Sequence, residues 1–169
     1  MTMTKFVSFF LVSLLLCGAA NASEQKEIGT FGNWTAYVFE ENGKNVCYMA
    51  AKPDKSEGKY KKRGEVVAMI THRPGEGTKN VFSYMSGYGY QKGSEVELSV
   101  DGKVFKLFTQ NDMAWAADAA ADSGIAQALQ KGSKMVVKGA SSRGTKTIDT
   151  FSLKGSTKSY EAISKACGV

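Results

Sequence analysis

Residues Glu95–Val100 place Val96, Leu98 and Val100 in strict alternation with Glu95, Glu97 and Ser99. Successive side chains of a strand point to opposite faces, so this pattern predicts a half-buried strand. Asp101-Gly102 is a two-residue turn pair leading into Lys103–Thr109, which predicts a hairpin. An earlier hairpin follows from Trp34–Phe39 and Val46–Ala51 around Asn42-Gly43. Glu65–His72 is apolar enough for a central strand, and Arg73-Pro74-Gly75 ends it. Val81–Met85, Met135–Gly139 and Thr147–Leu153 complete a set of about eight.

Two segments change to helical spacing. Ser123–Gln130 carries Ile125, Ala126, Ala128 and Leu129 and is stopped by Lys131-Gly132. A second helix starts with Ser156 or Thr157 as N-cap and runs to about Ala166. Tyr160, Ile163 and Cys167 share one face of it. Strands that do not alternate regularly with helices predict a mainly-β chain: an immunoglobulin-like antiparallel β-sandwich with one or two short helices, including a C-terminal one.

Composition changes this picture little. The chain has 169 residues, 43% hydrophobic and 22% charged, which is ordinary globular usage. It suits one domain and is too short for a TIM barrel. The beginning is different. Lys5 precedes Phe6–Leu16, apolar except for Ser8 and Ser13, and Ala20-Asn21-Ala22 supplies a small-x-small site. Residues 1–22 are therefore expected to be a signal peptide cleaved before Ser23, leaving residues 23–169 as a single domain. The apolar run is shorter than the roughly 20 residues a membrane span needs, so no transmembrane segment is expected in the mature chain. Lipid attachment at Cys17 is the rival reading, and the large Leu16 before it is unfavourable.

Export bears on the cysteines. Of three in the chain, Cys17 leaves with the signal, and Cys47 and Cys167 remain. An even number in an oxidising compartment predicts one disulfide; two buried free thiols are the alternative.

The formal net charge is +6, unevenly spread. Lys52, Lys55, Lys59, Lys61, Lys62 and Arg63 crowd one stretch together with Asp54 and Glu57. The reading this stretch favours is a solvated loop whose lysines keep a β edge from pairing. The alternative is a contact surface with Lys59, Lys61, Lys62 and Arg63 as candidate contacts; an exported protein rarely meets nucleic acid, so its target would be an anionic envelope surface or an acidic partner.

Candidate chemistry is sparse. His72 is the single histidine and has no companion for a metal cluster or a proton relay, so a structural or solvent-exposed role is expected. No Gly-x-Ser-x-Gly elbow is present, and Gly87-Tyr88-Gly89 lacks the helix and lysine of a phosphate cradle. No catalytic, metal or cofactor site is expected. Tyr84, Tyr88 and Tyr90 stand among Ser83, Ser86, Gly87 and Gly89. Aromatic rings beside basic side chains suit sugars, acyl chains or choline-like groups. Their shared parity favours packing on one face of a strand.

Several short motifs carry a resemblance. They are Phe31-Gly32-Asn33-Trp34, Cys47-Tyr48, Asp112-Met113-Ala114-Trp115-Ala116, the helix ending in Lys131-Gly132, and the tail from Phe151 through Leu153, Gly155 and Ser156 to Tyr160. In this order they resemble the invasion-associated locus B family of exported alphaproteobacterial proteins, over nearly all of the mature chain. The resemblance implies a β-sandwich, a periplasmic, outer-envelope or secreted location in a Gram-negative bacterium, and no established catalytic activity. Some members are linked to host-cell invasion. Tyr37 and the 109–116 stretch lack cysteines that members often carry there. The family's disulfide scheme is therefore not transferable, and the Cys47–Cys167 pairing rests on the cysteine count. Three functions remain in view: a non-enzymatic envelope or host-interaction factor binding a protein, a glycan or an anionic surface; a periplasmic accessory or chaperone-like factor gripping a partner strand; and a hydrolase with an unrecognised site.

Overall fold

Asn42 and Gly43 both adopt positive φ, 51° and 73°, and so do Asp101 and Gly102, 46° and 91°. Two consecutive left-handed residues twist a turn in the sense that matches flanking strands, which is why Asn-Gly and Asp-Gly close hairpins. Each turn closes as expected. The first joins strand β2 (Trp34–Glu41) to β3 (Lys44–Ala51), and the second joins β7 (Glu95–Val100) to β8 (Lys103–Gln110). The computed structural model describes residues 24–169. The expected signal peptide, its cleavage site, Cys17 and the expected new N-terminus Ser23 lie outside the described residues.

The remaining strands are β1 (Lys26–Phe31), β4 (Lys55–Gly58), β5 (Val67–Arg73), β6 (Thr78–Met85), β9 (Met113–Ala116), β10 (Lys134–Ala140) and β11 (Lys146–Ser152). Among the described residues all pairings between strands are antiparallel, in the order β1-β2-β3-β5-β6-β9-β8-β7-β10-β11-β4. The expected mainly-β antiparallel class is thus present. Its layering comes from one sheet folded over on itself. Strands β6 and β11 stand five positions apart in that order, about 24 Å in a flat sheet at 4.8 Å per strand. Yet the Tyr84 hydroxyl of β6 lies 2.5 Å from Asp149 Oδ2 of β11, and the Tyr84 and Phe151 rings meet edge to face at 6.3 Å.

The core lies inside this fold. Met49, Ile70 and Phe82, paired across β3, β5 and β6, are fully buried. They share one apolar cluster with Leu98, Met135 and Phe151 from the other half. The Trp34 ring is buried as well, and its Nε1–H donates to the Ser152 carbonyl at 3.0 Å, holding the first hairpin to the end of β11.

Among the described residues two α-helices complete the fold, one of them C-terminal as expected. Helix α1 (Ala119–Lys131) begins one turn before the expected Ser123, because the Asp118 carboxylate accepts from the Ala121 N–H as an N-cap. It buries Ile125, Ala126 and Leu129. Helix α2 (Ser156–Cys167) is entered through Gly155 at φ +92°, where an added Cβ would lie 1.7 Å from the Phe31 carbonyl oxygen. Gly155 itself is therefore the cap, in place of the expected serine or threonine. Ile163 is buried, with Tyr160 and Cys167 packed against the core on the same face. Cys167 is bonded to Cys47, with Cα atoms 5.9 Å apart across a separation of 120 residues. That spacing is ordinary for a disulfide.

The segment Lys52–Arg63 corrects the expectation of a continuous loop. Its middle is β4, an edge strand paired with β11 through Lys55↔Thr150 and Glu57↔Ile148. All four residues of β4 are exposed. The pairing is made by backbone alone, so no alternation of apolar side chains announces it.

Candidate basic cleft

Beyond β4 the chain must come back across the sheet edge to enter β5, and two glycines bring it close. The Gly64 N–H donates to the Gly87 carbonyl at 2.8 Å. A Cβ on Gly87, whose φ is +73°, would sit 2.5 Å from the Gly64 carbonyl oxygen. Only glycine allows these two backbones to approach so closely. The contact joins the lysine-rich segment to the Tyr88 segment, two stretches singled out separately from sequence.

Arg63 locks the junction. Its Nη1 and Nη2 donate to the two Asp149 carboxylate oxygens at 2.8 and 2.7 Å, and its Nε donates to the Ser86 carbonyl at 2.7 Å. The Arg63 side chain is 5% exposed and that of Asp149 is fully buried. The guanidinium lies 5.0 Å from the Tyr88 ring centre and 5.4 Å from that of Tyr60, within cation–π range. Burial works against the Arg63 charge, yet the hydrogen bonds and charge of Asp149 hold its pKa above the ordinary arginine value. Burial, followed by the Asp149 charge, raises the pKa of the Tyr84 hydroxyl, which donates to that carboxylate. Arg63 is therefore an internal anchor, a correction to its expected place on a contact surface. Its carboxylate partner lies 86 residues away in sequence.

Above the anchor opens a cleft of about 700 Å³, within the range of small-molecule sites. One wall is Lys59–Gly64, another is the Gly87–Gly89 segment, and the third is the turn between β10 and β11. Lys59, Lys61, Lys62 and Arg143 are exposed around it, and no carboxylate lines it. Ser141, Ser142 and Thr145 add polar side chains, and the Tyr60 and Tyr88 rings add apolar surface. Tyr60 is 37% exposed. Tyr88 is half-buried, with its hydroxyl 2.7 Å from Thr147 Oγ1 and its ring against Tyr90 at 5.1 Å. Of the nominated contacts, Lys59, Lys61, Lys62 and Tyr88 thus meet in one place.

Tyr84 and Tyr90 do not join them. Tyr84 is 1% exposed and Tyr90 9%, so both pack into the interior as their shared parity favoured, and their nomination as possible contacts is corrected. Burial raises the Tyr90 pKa, with the neighbouring Tyr88 adding to it. Tyr60 and Arg143 were missed; their flanking lysine run and Ser-Ser-Arg-Gly turn were the only signals available.

His72 is fully buried in β5. Its Nδ1 accepts from the Asn80 N–H at 3.0 Å, which leaves the proton on Nε2 to donate to Ser164 Oγ at 3.1 Å. Burial, and secondarily the Lys79 charge, lower its pKa to about 4. Its role is structural, bridging β5 to α2. Among the described residues no group of three metal-ligating side chains converges, and no helix is long and apolar enough to cross a membrane.

A family model described as "Invasion associated locus B (IalB) protein" matches residues 34–164. A crystal structure of invasion associated protein B from Bartonella henselae is similar in fold, with a TM-score of 0.58 at 16% sequence identity. That similarity covers 82% of this chain and 95% of the Bartonella chain. No curated protein matches the chain.

Proposed function

Because the chain belongs to the invasion associated locus B family, we propose that it is an exported, non-enzymatic interaction factor of the bacterial envelope that takes an anionic partner into its basic cleft. The observation that carries this reading is the cleft itself: four exposed cations around a concave site that no carboxylate lines. Such a wall concentrates field lines and attracts negative charge. Lys59, Lys61 and Lys62 make no salt bridge among the described residues, so their charge is available to a partner.

The other two readings have less support. A hydrolase built on His72 would need a carboxylate partner beside it, and the imidazole contacts Asn80 and Ser164 instead. A strand-gripping factor would use β1 or β4, the two sheet edges. The β1 pairing shifts register between Glu27 and Gly29, and β4 is a four-residue strand carrying a Lys55–Glu57 ion pair. Short, charged and irregular edges discourage added strands.

The test is retention of the mature protein on envelope fractions across a salt series. The variant Lys59→Ser/Lys61→Ser/Lys62→Ser should fold normally, lose retention and flatten the salt dependence. Unchanged retention would overturn the reading.

A further inference from the structure

The cleft combines three kinds of group that a simple anion site does not need together. It has four cations, the hydroxyl-bearing side chains of Ser141, Ser142 and Thr145, and the rings of Tyr60 and Tyr88. Phosphate or a bare carboxylate would be satisfied by the cations alone. A planar membrane surface would call for cations on a convex face, whereas these line a concavity of about 700 Å³. Hydroxyls both donate and accept, as the hydroxyls of a sugar do. A pyranose also presents a C–H face that lies flat on an aromatic ring. The exposed Tyr60 supplies such a ring at the cleft wall.

On this basis we infer that the cleft is a saccharide site selective for acidic sugars, those bearing carboxylate or sulfate groups. The inference rests on the anionic-partner reading and narrows it. In this arrangement Lys59, Lys61, Lys62 and Arg143 receive the acidic groups, the Ser142 and Thr145 hydroxyls hold ring hydroxyls, and Tyr60 stacks on the sugar face. Arg63 takes no direct part. Its donors are occupied by Asp149 and Ser86, and it sets the position of the Tyr60 and Tyr88 rings.

Calorimetric titration of residues 23–169 would use four probes: an oligogalacturonate, its neutral methyl ester, a sulfated oligosaccharide and phosphatidylglycerol vesicles. The oligogalacturonate, the sulfated sugar or both should bind, and the methyl ester at least about tenfold more weakly. Tyr60→Ala should weaken acidic-sugar binding about tenfold and Tyr60→Trp should preserve it, with circular dichroism unchanged in both. The uronate and sulfate arms separate the two sources of negative charge. Binding of vesicles but neither sugar would overturn the saccharide proposal while leaving the anionic-partner reading intact. So would sugar binding that depends on the lysines and is indifferent to Tyr60→Ala. Binding of none of the four probes would overturn the saccharide proposal, and envelope retention would then judge the broader reading separately.

Discussion

Replacing Arg63 by methionine keeps most of the side-chain volume and removes the charge that faces Asp149. In the native protein that carboxylate is fully buried and receives two guanidinium N–H groups and the Tyr84 hydroxyl. After the change only Tyr84 of these donors remains. Breaking a buried pair by removing one partner costs about 3–5 kcal/mol, chiefly because the other charge is stranded. For a domain of this size each kcal/mol moves the thermal midpoint by about 2–4 °C, so Arg63→Met should lower it by roughly 6–20 °C. Asp149→Asn alone strands the guanidinium and should cost a similar amount. The double variant strands neither charge, and its remaining defect is the Ser86 carbonyl left without Arg63 Nε, a loss of about 1–3 kcal/mol. Urea unfolding of the four proteins closes a double-mutant cycle, and because the double variant loses far less than the two singles together, the expected coupling is at least about 3 kcal/mol. Additive losses, with coupling below about 0.5 kcal/mol, would refute the account of Arg63 as an anchor held by its buried partner.

Other measurements follow from the same structure. Native protein isolated without reductant should contain no free thiol at Cys47 or Cys167, and reduction should destabilise it by about 3–5 kcal/mol for a loop of 120 residues; two alkylatable thiols in non-reduced material would contradict the pairing. His72 has a pKa near 4 when folded, below the ordinary 6.5, so the unfolded chain takes up its proton first as pH falls. Its contribution is present above pH 6.5 and is lost between about 6.5 and 4, a change of about 2–3 kcal/mol after allowing for solvent screening. In His72→Gln the urea midpoint should change less over that range than in the wild type, and an identical pH profile would show that another group is responsible.

Elements held by side-chain burial were legible in the sequence. The β7–β8 hairpin appears where Val96, Leu98 and Val100 alternate with polar residues, and all three are buried. Elements held by backbone pairing alone were not. Strand β1 is mostly exposed and interrupted by Gly29, and β4 has no apolar residue. Strand β9 was noticed only as a motif, because four residues are too few to establish a period. The cleft was legible in halves. The lysines and Tyr88 could each be nominated from local composition, but their meeting depends on the Gly64–Gly87 approach. Arg63 was assigned to the surface because its neighbours are surface lysines, and Asp149, which draws it inward, carries no local sign of that role.

The bond between Cys47 and Cys167 also divides the molecule mechanically. A pull applied at the two ends passes through the sulfur bridge and bypasses the chain between them. Residues 24–47 could peel away, about 80 Å of extended chain, as β1 and β2 come off the sheet. Extension would then stop at Cys47. Strands β5 to β11, helix α1 and the walls of the cleft would carry no load. A protein tethered by one end and exposed to flow would therefore keep its cleft folded after its first hairpin had been torn out, for as long as the compartment remained oxidising.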